Sequence, residues 1–106
     1  MTTLEILKAA RALLGEGPHR WAQGWYAYDA AGNRCSAKHQ GASRFCMLGA
    51  VHLFDTSGAL DASDAARLLK YEVPHEDIDG FNDKYDHASV LSVYDRAIAK
   101  LEGAGQ

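Results

Sequence analysis

Long apolar runs are missing from this chain: none approaches the roughly 18–20 residues needed to span a bilayer, so no membrane span is expected. Met1 to Leu7 carries Glu5 and no basic cluster, so the start does not read as a secretory signal. There are two cysteines, Cys35 and Cys46, and no Cys-x-x-Cys pair. A disulfide framework, a thioredoxin-like redox motif and a zinc ribbon are therefore not expected, and the reading is of a cytoplasmic protein with free thiols. Excess positive charge is lacking too. Lys plus Arg number 11 against 14 Asp plus Glu, a net charge of −3. That argues against a nucleic-acid grip built on bulk charge. Phosphate loops, Gly-x-Ser-x-Gly elbows and His-Glu-x-x-His zinc motifs are all absent.

What is present is an ordinary globular composition, with 47% hydrophobic and 24% charged residues in 106. That balance excludes a disordered body and predicts one domain over 1–106. Thr2-Thr3-Leu4-Glu5 has the form of a capping box. Apolar residues at Leu4, Ile6, Leu7, Ala10, Leu13 and Leu14 follow at helical spacing, which predicts a helix over 3–15. The aromatic run 21–28 predicts a strand with a bulge at Gly24, Asp29 to Asn33 a turn, and 34–36 a short return strand. Residues 38–42 read as loop. Ser43 then caps an expected helix over 43–55 that is apolar on nearly every side and belongs at the centre of the fold. Asp61 or Ser63 caps a third helix that ends before Val73-Pro74. Residues 75–86 read as acidic and irregular with room for one short helical turn. A fourth helix spans 87–102, with Val90, Tyr94, Ala97, Ile98 and Leu101 as its buried stripe, and the chain frays from Gly103. The expected fold is mainly α: about four helices around a central apolar helix, with one small β-hairpin packed on them.

Four patterns occur in order: Trp21-x-x-Gly24, Cys46-x-x-Gly49-Ala50, Phe81-Asn82-Asp83 and Val90-Leu91-x-x-Tyr94-Asp95-x-Ala97-Ile98. Together they resemble a family of short proteins from high-GC bacteria and their phages, known as a domain of unknown function. The resemblance spans almost the whole chain. It implies a stand-alone bacterial or phage accessory protein, with Cys46, Asn82 and Asp83 as positions to watch. Phe81 stands where a Trp would be looked for.

Cys46 is the sharpest chemical candidate. With Ser43 as cap it would sit in the first helical turn, where the helix dipole lowers a thiol pKa. His19, His39, His75 or His87 could serve as its base, of which His87 is taken with Cys46 as the catalytic candidate; Asn82 or Asp83 could orient the imidazole. The competing reading is a small, inert, buried cysteine, the commoner fate. Residues 76–83 are rich in oxygen ligands, but the EF-hand spacing fails and a solvated acidic loop is the plainer reading. No metal or other cofactor is expected. Trp21, Trp25 and Tyr28 either staple the hairpin to the helices or face a partner, and Arg44 adds to a local positive bias with Arg34 and Lys38. A helix-turn-helix is disfavoured because its recognition helix would begin at Asp61, acidic where phosphates would sit.

The leading expectation is a small accessory or interaction domain that binds a protein or small ligand through Trp21, Trp25, Tyr28, Arg44, Phe81, Asn82 and Asp83. A homodimer is one way for so small a core to bury further surface. Nucleic acid and membrane are not expected partners. The alternative is a cysteine-dependent hydrolase or acyl transferase with Cys46 as nucleophile.

Overall fold

A computed structural model describes residues 1–104. The first helix, α1 (Thr3–Leu14), starts as its sequence asks: Glu5 N–H donates to Thr2 Oγ1 at 3.1 Å and Thr2 N–H to Glu5 Oε1 at 2.7 Å. Its apolar stripe, Ile6, Leu7, Ala10, Leu13 and Leu14, is buried. Gly15 ends it, and a short 3-10 turn follows at Pro18–Arg20.

The aromatic segment yields less strand than its composition suggests. Only Ala27–Asp29 is β1; Trp21 makes an isolated bridge to Phe45, and the residues between form a loop. In that loop the Ala22 amide donates to the Phe45 carbonyl, and Gly24 takes φ +89°, a left-handed conformation that favours glycine. Asp29 builds the expected turn by accepting from the Ala31 and Asn33 amides through Oδ1 at 3.0 and 2.9 Å. Strand β2 (Arg34–Cys35) completes the hairpin.

The expected helix start at Ser43 is corrected. Ala42–Phe45 is a third strand, β3, paired antiparallel to β1 with Ala27 opposite Phe45 and Tyr28 opposite Arg44. The sheet order is β2-β1-β3, with a bulge between Tyr28 and Asp29. A two-stranded hairpin is marginal alone, and the extra ladder is what tertiary pairing adds over local propensity. Ser43 Oγ donates to the Tyr28 carbonyl rather than capping a helix.

Helix α2 (Met47–Phe54) begins only after Cys46, which is its N-cap. Met47 through His52 are all buried, and α2 packs against α1, β3 and the two helices that follow it, so the central apolar helix is present. After a 3-10 turn at Leu60–Ala62, Ser63 caps α3 (Asp64–Tyr71), accepting from the Ala66 amide at 3.2 Å. Asp77 caps a seven-residue helix, α4 (Ile78–Lys84), in the stretch read as irregular. Ile78 and Asn82 are its buried residues. Helix α5 (His87–Ala104) buries Val90, Val93, Tyr94 and Ala97. It lies against α1, held at the surface by Arg11 on Asp95 at 2.9 and 3.3 Å. The expected fraying at Gly103 gives way to helix through Ala104; the last two residues lie outside the described ones. Over the described residues the fold is mainly α, with five helices and a small three-stranded antiparallel sheet packed on them.

Candidate functional site

The four sequence patterns converge on one buried clasp. Asn82 on α4 is 1% exposed. Its Oδ1 accepts from Trp21 Nε1–H at 2.8 Å and from the Met47 amide at 3.0 Å. Its Nδ2 donates to the Ala22 carbonyl at 2.9 Å and to Asp83 Oδ1 at 3.3 Å. Met47 is the first residue of α2, where the amide has no acceptor within its own helix. Asn82 supplies that acceptor from a different helix. A neutral amide suits the place because it offers acceptor and donors side by side. Asp83 Oδ1 also accepts from the Gly24 amide at 2.9 Å, and Gln23 Nε2 donates to the carbonyls of Asn82, Asp83 and Tyr85. Below them the Tyr94 hydroxyl donates to the Met47 carbonyl. Gly49 completes the fit, since a Cβ there would stand 1.9 Å from the Tyr26 carbonyl oxygen.

Cys46 sits at the edge of this clasp, 3% exposed, its Sγ accepting from the Gly49 amide at 3.3 Å. Burial pushes the thiol up to about 12, against the pull of the Gly49 and Leu48 amides. The place in the first helical turn is corrected: as N-cap, Cys46 uses its sulfur to satisfy the helix start. Among the described residues no histidine hydrogen-bonds this sulfur. His87 Nε2 lies 2.7 Å from the Leu14 carbonyl oxygen, with its ring against Trp21 at 5.8 Å.

The other expected binding residues are dispersed. The Tyr28 hydroxyl donates to the Gln23 carbonyl, and its ring lies under the Arg44 guanidinium at 5.2 Å. Phe81 pairs with Tyr85 at 4.5 Å. Trp25 is the exception: 42% exposed, with the Arg34 guanidinium 5.1 Å from its ring centroid.

Trp25 and Tyr26 wall two openings. One is a cleft of about 210 Å³ reaching Cys46, Asp79, Asn82 and Asp83. The Asp79 carboxyl is held above its usual range by burial and by Asp61, Asp77 and Asp83. The other is a groove of about 820 Å³ between Arg34 and Cys35 on the hairpin and Leu60 and Asp61 on the turn before α3. Its floor is a small network. His52 Nε2 lies 2.9 Å from Asp61 Oδ1, Tyr26 OH donates to Asp61 Oδ2 at 3.2 Å, and the two rings stack at 5.0 Å. Burial, helped by Asp61, pushes the Tyr26 hydroxyl up to about 12. Above it Leu60 is 55% exposed and holds φ +52°.

Leu60, Asp61 and His52 line the groove and Asp79 the cleft, and sequence reasoning named none of them as a binding candidate. Nothing in the local sequence signals a leucine at positive φ, and His52 is legible only as a polar break in an apolar helix. Among the described residues no group of three or more His, Cys, Asp or Glu is placed to hold a metal ion, and no helix is long and apolar enough to cross a membrane.

Residues 1–100 match the model of a family of unknown function, DUF6197, and the chain belongs to that family. No curated protein and no solved structure matches it.

Proposed function

We propose that the protein is a small non-enzymatic interaction module whose binding face is centred on Trp25 and the groove beside it, with a protein as its partner. The observation that carries this is Leu60. A left-handed backbone costs a leucine roughly 1–2 kcal/mol. Here it displays a half-exposed apolar side chain beside a half-exposed tryptophan and buries nothing in the core. Strain held at the surface is the mark of a site rather than of packing. Trp25 and Arg34 are the residue types that anchor interfaces. We place the module in the cytoplasm, where Cys35 and Cys46 stay reduced. The thiol-enzyme reading draws no support from a buried sulfur with a raised pKa and no histidine partner.

Selection from a displayed random-peptide library tests the reading. Enriched peptides should lose binding by about tenfold or more on Trp25→Ala and Arg34→Glu, with thermal unfolding of both variants unchanged. Enrichment of nothing, or of peptides indifferent to both substitutions, refutes it.

A further inference from the structure

We infer that the partner on the Trp25 face is a second copy of this chain, the two copies pairing about a two-fold axis that passes beside Trp25. This deepens the interaction-module reading and rests on it. Trp25 is the shared wall of two openings. On one side Arg34 lies over its ring, and on the other the cleft ends in Asp79 and Asp83. Among the described residues Arg34 makes no ion pair or side-chain hydrogen bond; its guanidinium lies over the Trp25 ring. Asp79 likewise makes no ion pair: the charges that raise its carboxyl are Asp61, Asp77 and Asp83, and His52 alone acts the other way. Each group is thus an uncompensated charge, and the two have opposite signs.

Read across the surface, the face runs cation, aromatic, anion. A partner of another sequence needs to be complementary to only one of these ends. A two-fold pair needs both ends on the same face, because residue i of one copy meets residue j of the other and j meets i. Rotation about an axis beside Trp25 brings Arg34 of each copy to the Asp79 cleft of the other. There a guanidinium meets carboxylates and the rims of Trp25 and Tyr26, the setting for a charge-assisted hydrogen bond with cation–π support. Leu60 and Trp25 supply the apolar centre. The net charge of −3 on each copy opposes association, so the pairing must come from these local contacts and must weaken with salt.

Sedimentation velocity of the full chain at low salt, over a wide concentration range, tests the pairing. The wild type should show a concentration-dependent dimer that dissociates as salt rises. Arg34→Glu alone and Asp79→Arg alone should each be monomeric, since each places like charges at both symmetric contacts. An equimolar mixture of the two folded variants should dimerise again, because both contacts are then between opposite charges. Trp25→Ala should be monomeric. A wild type that stays monomeric throughout overturns the pairing. So does a dimer indifferent to the two charge reversals, or a mixture of folded variants that fails to re-associate. The peptide selection, run on dilute protein, judges the interaction-module reading separately. A monomeric wild type whose Trp25 face still takes up peptides sinks the two-fold pair alone.

Discussion

Replacing Asn82 with Ala should be among the most damaging single changes in the chain. It strips partners from three groups at once: Trp21 Nε1–H, the Met47 amide and the Ala22 carbonyl. The bonds to Met47 and Ala22 are buried, whereas Trp21 is only half-buried and its indole N–H can find water. A buried polar group left unpaired costs about 1–3 kcal/mol. Two such groups and a smaller term for the indole give a loss of about 3–4 kcal/mol. A domain of this length is stable by roughly 5–15 kcal/mol in all, so the variant should still fold. With a urea slope near 1.5 kcal/mol per molar, the midpoint should fall by about 2 M. Trp21→Phe removes one donor and should cost about 1 kcal/mol. The double variant should lose less than the sum, because the two side chains share a bond. Amide exchange at Met47 should accelerate in Asn82→Ala under native conditions. A loss below about 1 kcal/mol, or full additivity with Trp21→Phe, would refute the clasp as a source of stability.

Gly49→Ala should destabilise even though alanine is the better helix former by about 1 kcal/mol. The new Cβ would stand 1.9 Å from the Tyr26 carbonyl, which also accepts from the Cys46 amide. A loss of about 2 kcal/mol or more in thermal unfolding is expected, and a neutral result would mean the loop yields freely. Iodoacetamide should label Cys46 only as fast as the protein opens, as read by mass spectrometry. The folded thiol lies near 12 against an ordinary value of 9.0. As pH rises through this window the unfolded chain releases its proton first, so stability is full below the window and falls across it. Tyr26 and Tyr94 act in the same direction at higher pH. Urea midpoints measured from neutral to alkaline pH should show the decline, and Cys46→Ala should lessen its first part. Leu60→Asn should raise stability by about 0.5–1 kcal/mol by relieving positive φ, while peptide binding falls. A loss of stability in urea would show that Leu60 packs rather than displays.

The parts of the fold legible in the sequence are those that local chemistry decides. The capping box at Thr2 and Glu5, the turn built by Asp29, the Ser63 cap and the stripe of Val90, Tyr94 and Ala97 each depend on neighbours within a few residues. β3 was not legible. Ala42–Phe45 has no alternation and offers Ser43 as a credible cap, and only pairing with β1 makes it a strand. α4 was hidden for a related reason: Gly80, Asp79 and Asp83, with Asp77 before them, mask a helix whose buried residues are Ile78 and one asparagine. At the site, Trp25 and Arg34 could be suspected from residue type and local charge. Leu60, Asp61 and Asp79 could not, because their meaning lies in a backbone angle and in neighbours far along the chain.

The placement of the motifs changes where function should be sought. Trp21, Gly24, Gly49, Asn82, Asp83 and Tyr94 belong to the four patterns picked out in the sequence, and in the structure they bond or pack around one clasp. Most of their polar atoms are already satisfied, so a ligand arriving at Asn82 or Cys46 would have to displace the contacts that start α2. Motifs with this role report the frame. They say that a chain folds this way, and nothing about what it binds. Trp25, Arg34, Leu60 and Asp79 lie outside every one of the motif positions, on the surface the frame holds in place. On the proposed reading, substitutions on the Trp25 face should change binding, and those in the motifs should read out as stability alone.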